Sequence, residues 1–194
     1  SQAITQLQVA SPALPANLEP KLSPDSFVKF SQAKYDILVI EAQAAIKEII
    51  FKDYYSTKFN LGHAFLLQDN SYNFQKEMSA SEEELTFVYS DKDKRVLKKF
   101  HFPNSSYNIK LELHVQNLSS APIMVNLPLV LGVLNFSGDQ TEAGFQDVTL
   151  VTKSKTLHLK ARNEVAFEGV QLLGLRNRYF CPIIEPESGD YTGF

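Results

Sequence analysis

The four histidines are the side chains in this sequence with the widest chemical repertoire, because imidazole serves as a metal ligand and as an acid or base near neutral pH. They are His63, His101, His114 and His158. None has a second His, Cys or Asp at the spacing of a metal site. Glu112 and His114 lie two residues apart and would share one face of a strand, but any amphipathic strand supplies such a pair. The sequence therefore predicts no metal site and no catalytic residue.

Motifs for nucleotide binding and covalent hydrolysis are absent: the sequence has no P-loop, no GxGxxG and no GxSxG. We therefore expect no cofactor. The formal net charge of -3 leaves no excess of Lys and Arg to neutralise a phosphate backbone. Nucleic acid is accordingly not an expected partner.

Two other features, a single cysteine and two clusters of charged residues, are interpreted as structural and not as functional sites. Cys181 is the only cysteine, so no intramolecular disulfide can form, and its apolar neighbours in FCPII predict a small buried side chain. Acidic residues at 82–84 and a mostly basic cluster at 92–99 are close in sequence. We interpret these charges as a solvated sheet edge and hairpin tip, which discourage edge-to-edge pairing.

The chain divides into a leading segment and one body. Residues 1–30 contain several prolines in a weakly periodic setting, which predicts an extended tether. Residues 31–194 consist of short β-rich segments separated by Asn, Asp, Ser, Gly and Pro, which predicts one all-β sandwich domain with few short helices. A short helix is a candidate for residues 25–35. No stretch reaches the roughly 18 apolar residues of a membrane-spanning helix.

The clearest strand is residues 107–117, where apolar and polar side chains alternate, so that one face should be core and the other wet. Residues 85–90 and 95–102 flank the polar segment 91–94 and predict a hairpin. Residues 117–122 predict a turn. Further strand candidates are residues 35–42, 45–55, 63–68, 123–136, 147–152, 155–160, 164–173 and 177–184.

Three segments in order resemble one known family. Residues 173–186, LGLRNRYFCPIIEP, resemble a late strand of the first periplasmic domain of YidC-type membrane-protein insertases, in which a Tyr-Phe pair precedes an apolar run ending near Pro. Residues 96–123 resemble the family's strand, turn and Pro unit. Residues 35–55 resemble its opening strand pair. The family-motif residues are Tyr107, Asn117, Tyr179 and Phe180, for which the resemblance implies structural roles.

The resemblance implies a β-supersandwich of mostly antiparallel strands, with a galactose-mutarotase-like architecture. It would lie on the periplasmic side of the bacterial inner membrane, between transmembrane segments outside this chain, so we expect the native polypeptide to continue past Phe194. Implied partners are components of the Sec translocon and nascent membrane proteins. The implied role is non-catalytic: to assist insertion and folding of inner-membrane proteins, with or without the translocon.

Near the recognised strand, Arg176 and Arg178 are candidate contacts to a partner or lipid headgroup. Both faces of residues 177–184 are apolar beyond Arg178, which predicts a strand buried on both sides with Phe180 in the core. Two alternatives remain. A sugar-active, aldose-epimerase-like sandwich would need convergent Glu and His in a cleft. A carbohydrate-binding module would need exposed aromatic side chains in a concave face.

Overall fold

The computed structural model describes residues 26–68, 72–79, 81–132, 147–159, 167–176, 181–187 and 191–193. In these residues the fold is all-β, as the sequence predicted. It has four antiparallel sheets, and its only helical element in this part is a short 3-10 turn at Lys52–Tyr54. Among them no helix is long and apolar enough to span a membrane. Most of the predicted tether, residues 1–25, lies outside this described part.

The first sheet contains four strands in chain order, β1 to β4. They are β1 (Phe27–Ser31), β2 (Tyr35–Ile40), β3 (Ala45–Phe51) and β4 (Thr57–Ala64). The short helix predicted across residues 25–35 is wrong, because β1 pairs along its whole length with β2 while Val28 and Phe30 turn toward the core. The sheet thus begins four residues before the boundary predicted at residue 31.

The second sheet also runs in chain order, from β6 to β9. Its strands are β6 (Gln75–Glu77), β7 (Glu84–Ser90), β8 (Lys94–His101) and β9 (Lys110–Asn117). The β7–β8 pair confirms the predicted hairpin around residues 91–94. The first two sheets share one core, since buried side chains from both form a single cluster. The largest fully buried side chains of the described residues are those of Tyr35, Phe59, Phe87, Lys98, Phe100 and Phe102.

Asp91 organises the β7–β8 turn. Its Oδ1 accepts the backbone N–H groups of Asp93 and Lys94, both at 2.8 Å, and its Oδ2 accepts the Lys94 ammonium at 2.9 Å and the Tyr89 hydroxyl at 3.1 Å. The hydrogen bond from the Lys94 side chain, followed by those from the two amides, lowers the pKa of Asp91 below its ordinary value.

This turn should contribute to acid sensitivity. A carboxylate whose pKa is lowered by folding stabilises the fold above its unfolded pKa of about 3.9 and loses that contribution as pH falls further. Asp91→Asn keeps a turn acceptor but removes the charge, so we expect it to lower the urea midpoint at pH 7 more than at pH 3. A loss of the same size at both pH values would contradict this role.

The third sheet carries the later strands in the order β12-β11-β13-β14, and β15 also pairs with β13. These strands are β11 (Asp147–Thr152), β12 (Thr156–Leu159), β13 (Phe167–Arg176), β14 (Ile183–Ile184) and β15 (Tyr191–Gly193). A fourth, two-stranded sheet pairs β5 (Leu66–Leu67) with β10 (Leu129–Val130).

The strand predicted at residues 177–184 is described only in its second half. Within that half, β14 contains two residues, and Ile183 is 62% exposed. Burial on both sides is therefore wrong for this part, because among the described strands β14 pairs with β13 alone, at the edge of its sheet. The prediction that Phe180 is a core residue falls outside the described residues.

Candidate functional site

A groove of about 1180 Å³ opens in the described part of the chain. One wall comes from the inner side of β3 and β4, the second from residues 107–113, and the third from residues 181–187. Its lining is largely apolar and includes Ile46, Ile49, Leu61, Ala64, Phe65, Ile109, Leu111, Leu113, Leu129, Leu131, Ile183 and Ile184. Such a lining suits an apolar ligand.

Strand β9 forms the wall that the sequence indicated most clearly. The predicted core face is confirmed only in part: Leu111 and Leu113 are half-buried against the core, and Val115 is 39% exposed. The reason is that β9 pairs only with β8 among the described strands, so its inner face looks partly into the groove.

Aromatic side chains surround one end of the groove. Tyr107 precedes β9 and its hydroxyl donates to Asp53 Oδ2 at 2.7 Å. This hydrogen bond, with a smaller contribution from burial, raises the pKa of Tyr107 to about 12. The ring of Tyr107 lies 6.2 Å from that of Tyr54, which is 52% exposed, and 5.7 Å from that of Phe51. The family-motif residue Tyr107 is therefore part of the groove mouth.

Asn117 ends β9 and organises the turn predicted at residues 117–122. Its Nδ2 donates to the Ala121 carbonyl at 2.8 Å, and its Oδ1 accepts both the backbone N–H and the hydroxyl of Ser119 at 2.9 Å. These side-chain bonds close the turn locally, as Asn side chains do in turns. Asn117 thus lies away from the groove.

The polar side of β9 carries the acid–base pair considered from the sequence. Glu112 Oε2 lies 3.4 Å from His114 Nε2, and hydrogen bonds from Lys110 and then His114 lower the pKa of Glu112. Neither Glu112 nor His114 lines the groove. Lys110 also reaches Glu187 on the opposite wall at 3.1 Å. Among the described residues no three His, Cys, Asp or Glu side chains are arranged to hold a metal ion.

Arg176 and Cys181, in the segment that resembles the family, are described by the structure. Arg176 is exposed and forms an ion pair with Asp147, the residue opposite it on β11. Cys181 was predicted to be buried; it is exposed, because it lies before the short edge strand and on the groove wall. Arg178, Tyr179 and Phe180 lie outside the described residues.

Lys98 is the residue whose position the sequence interpretation missed. It was placed in a solvated cluster, but its side chain is 0% exposed. Its Nζ donates to the carbonyl of Ala44 at 2.5 Å and to that of Phe65, and it lies over the rings of Phe74 and Phe100. Burial lowers the pKa of Lys98 to about 7.

The rest of the predicted solvated cluster agrees better with its interpretation. Lys92 is exposed, and Lys99 forms an ion pair of 2.6 Å with Glu84 across the β7–β8 ladder. Strict alternation along β8 was the available signal, since Val96, Lys98 and Phe100 fall on one face of the strand.

No family model matches the chain, and a search of curated proteins finds no significant match.

Proposed function

We propose that this chain is the periplasmic β-supersandwich domain of a YidC-type insertase, and that it acts as a non-catalytic binding and assembly module at the inner membrane. In this role the groove receives apolar segments of nascent membrane proteins, beside the Sec translocon or without it. The observation that carries the proposal is the apolar lining of the groove.

The resembling segments support this proposal by their positions. Residues 35–55 include β2 and β3, and residues 96–123 include most of β8 and all of β9. Together they supply two facing walls of the groove. Membrane-protein segments are rich in aliphatic side chains, and burial of apolar area is the main favourable term when such a segment leaves water.

The proposal predicts that a charge on the β9 wall weakens peptide binding. Leu111→Glu places a carboxylate in the apolar lining, opposite Phe100 on β8, and burying a charge among apolar side chains is costly. We expect affinity for a fluorescent Leu/Ala-rich peptide, measured by anisotropy, to fall at least about tenfold, which corresponds to about 1.4 kcal/mol.

Val115→Glu is the matched control, because Val115 lies on the same face of β9 but does not line the groove. We expect it to change affinity by less than about threefold, or under about 0.7 kcal/mol. Circular dichroism must show that both variants keep the sheet signal. Equal losses in both variants, or no binding of the peptide by the wild-type domain, would refute the groove as the peptide site.

A carbohydrate-binding module is the second candidate, and the aromatic groove mouth favours it. Tyr54 and Tyr107 expose ring area in a concave surface, beside the polar side chains of Asn108 and Glu185. Sugar rings stack on exposed aromatic rings of this kind. A panel of oligosaccharides in the same assay distinguishes the two functions: saturable binding that Tyr54→Ala removes, without binding of the apolar peptide, would replace the first proposal with the second.

A further inference from the structure

The buried amine of Lys98 joins parts of the fold that are remote in sequence. Lys98 lies on β8, whereas its two acceptors belong to the turn before β3 and the junction between β4 and β5. Both acceptors have left-handed backbones, with φ of 46° at Ala44 and 65° at Phe65. Non-glycine residues adopt this conformation at a cost, so the surrounding contacts must hold them there. The amine is one of those contacts.

Phe65 connects this amine to the groove. Its side chain lines the groove, and its ring lies 6.1 Å from that of Phe100. Its backbone N–H donates to the Val130 carbonyl at 2.6 Å, in the short β5–β10 sheet. Losing the bond from Lys98 would therefore free one attachment of the groove wall.

No acidic side chain in the described part of the chain pairs with Lys98. Its position on β8 is opposite Leu113 of β9, and the rings of Phe74 and Phe100 flank the amine. The titratable groups on the surrounding elements have other partners. Three carboxylates form ion pairs with other lysines: Glu48 with Lys58, Glu84 with Lys99, and Glu112 with Lys110. Glu41 is hydrogen-bonded to Ser26, His63 to Gln43, and Tyr89 and Lys94 to Asp91, and the Lys94 amine also lies over the ring of Tyr72.

The two protonation states of this amine differ in how well the core accepts them. A neutral amine has two N–H donors, enough for the two carbonyls that face it. An ammonium adds a charge that a dry interior solvates poorly, and a local opening would return that charge to water.

We propose that Lys98 is a proton-sensitive latch. Its neutral amine holds the Ala44 turn and Phe65 against the β6–β9 sheet by hydrogen bonds to their carbonyls. Protonation of the amine favours local opening of this groove wall. The latch acts on the wall whichever ligand the groove takes. Its failure and the failure of peptide binding are therefore separate results.

Two NMR measurements on the 194-residue chain test the latch. The first is the pH titration of the Lys98 side-chain Cε signal, which should have its midpoint well below the ordinary lysine value of about 10.4. The second is amide hydrogen exchange at Phe65 and Ala44, corrected for intrinsic rates. Their protection should fall roughly tenfold to a hundredfold from pH 9 to pH 6, because opening binds a proton over this range.

The amide of Phe87, in the middle of β7, is the internal reference and should change much less if the opening is local. In Lys98→Met the pH dependence at Phe65 should disappear, whereas Lys99→Met, altered one position along the strand, should keep it. The wild-type titration decides the matter even if Lys98→Met fails to fold. A Lys98 midpoint near 10, or protection at Phe65 that does not change with pH, would overturn the latch.

Discussion

Phe100→Ala is expected to lower the free energy of unfolding by about 3 to 5 kcal/mol, the usual range for emptying a fully buried aromatic site. Phe100 stacks on Phe102 with ring centroids 5.7 Å apart, and it meets Phe87 edge-on at 6.3 Å. The ring of Phe65, at the junction between β4 and β5, lies 6.1 Å from that of Phe100. Since Phe100 lies where the two sheets meet, its loss leaves a cavity that neither sheet can close alone.

Urea denaturation followed by far-ultraviolet circular dichroism measures this loss. The control is Val115→Ala, which removes an apolar side chain from the adjacent strand at a position 39% exposed, and should cost less than about 1 kcal/mol. A typical domain has about 5 to 15 kcal/mol of stability, so the Phe100 variant should unfold at a much lower urea concentration. Similar midpoints for the two variants would show that the sheets do not share the core described above.

Local alternation and turn residues predicted the β7–β8 hairpin, β9 and β11. The β7–β8 hairpin and the bounds of β11 follow from residues within about twenty positions of each other. β1 was not predicted as a strand, because its short sequence FVKFS becomes a strand by pairing with β2. The half-burial of Leu113 also could not be predicted from the residues around it. Alternation shows which side chains share a face of a strand, but not how much of that face another layer covers.

The candidate site was much less visible in the sequence than the fold. The groove combines segments that lie between Tyr35 and Glu187 in the chain, and each segment alone has the pattern of an ordinary strand or turn. Lys98 was hidden for the same reason: its acceptors, Ala44 and Phe65, lie 54 and 33 residues away. The alternation of Val96, Lys98 and Phe100 placed the lysine on the core face, but the composition of the cluster favoured the solvated interpretation. Composition is a poor guide when backbone carbonyls supply the partners of a buried cation.

Lys98→Met should reverse its effect on stability with pH. The pKa of Lys98 is lower in the folded chain, about 7, than the ordinary value of about 10.4 expected after unfolding. Between these values the unfolded chain binds more protons, so this lysine makes stability rise with pH from about 7 to 10, by roughly 4 to 5 kcal/mol in total. Below about pH 7 both states are protonated and its contribution becomes constant.

Methionine has a similar length and no charge to solvate, but it cannot donate to the carbonyls of Ala44 and Phe65. At pH 10 the variant should therefore be less stable than wild type by about 1 to 3 kcal/mol, the cost of unpaired buried acceptors. At pH 6 the wild-type domain carries the buried ammonium and has lost more than this difference, so the variant should be the more stable of the two. Urea midpoints at pH 6, 8 and 10 measure this reversal.

Lys99→Met separates this effect from a general response to the loss of a lysine. The hydrogen bond to Glu84 raises the pKa of Lys99, so its stabilising contribution is present below the unfolded pKa and declines only as pH rises beyond it. Its replacement should therefore never become more harmful with increasing pH, which is the opposite trend to that of Lys98→Met. Parallel pH profiles for wild type and Lys98→Met would mean that the proton on this amine is not linked to folding.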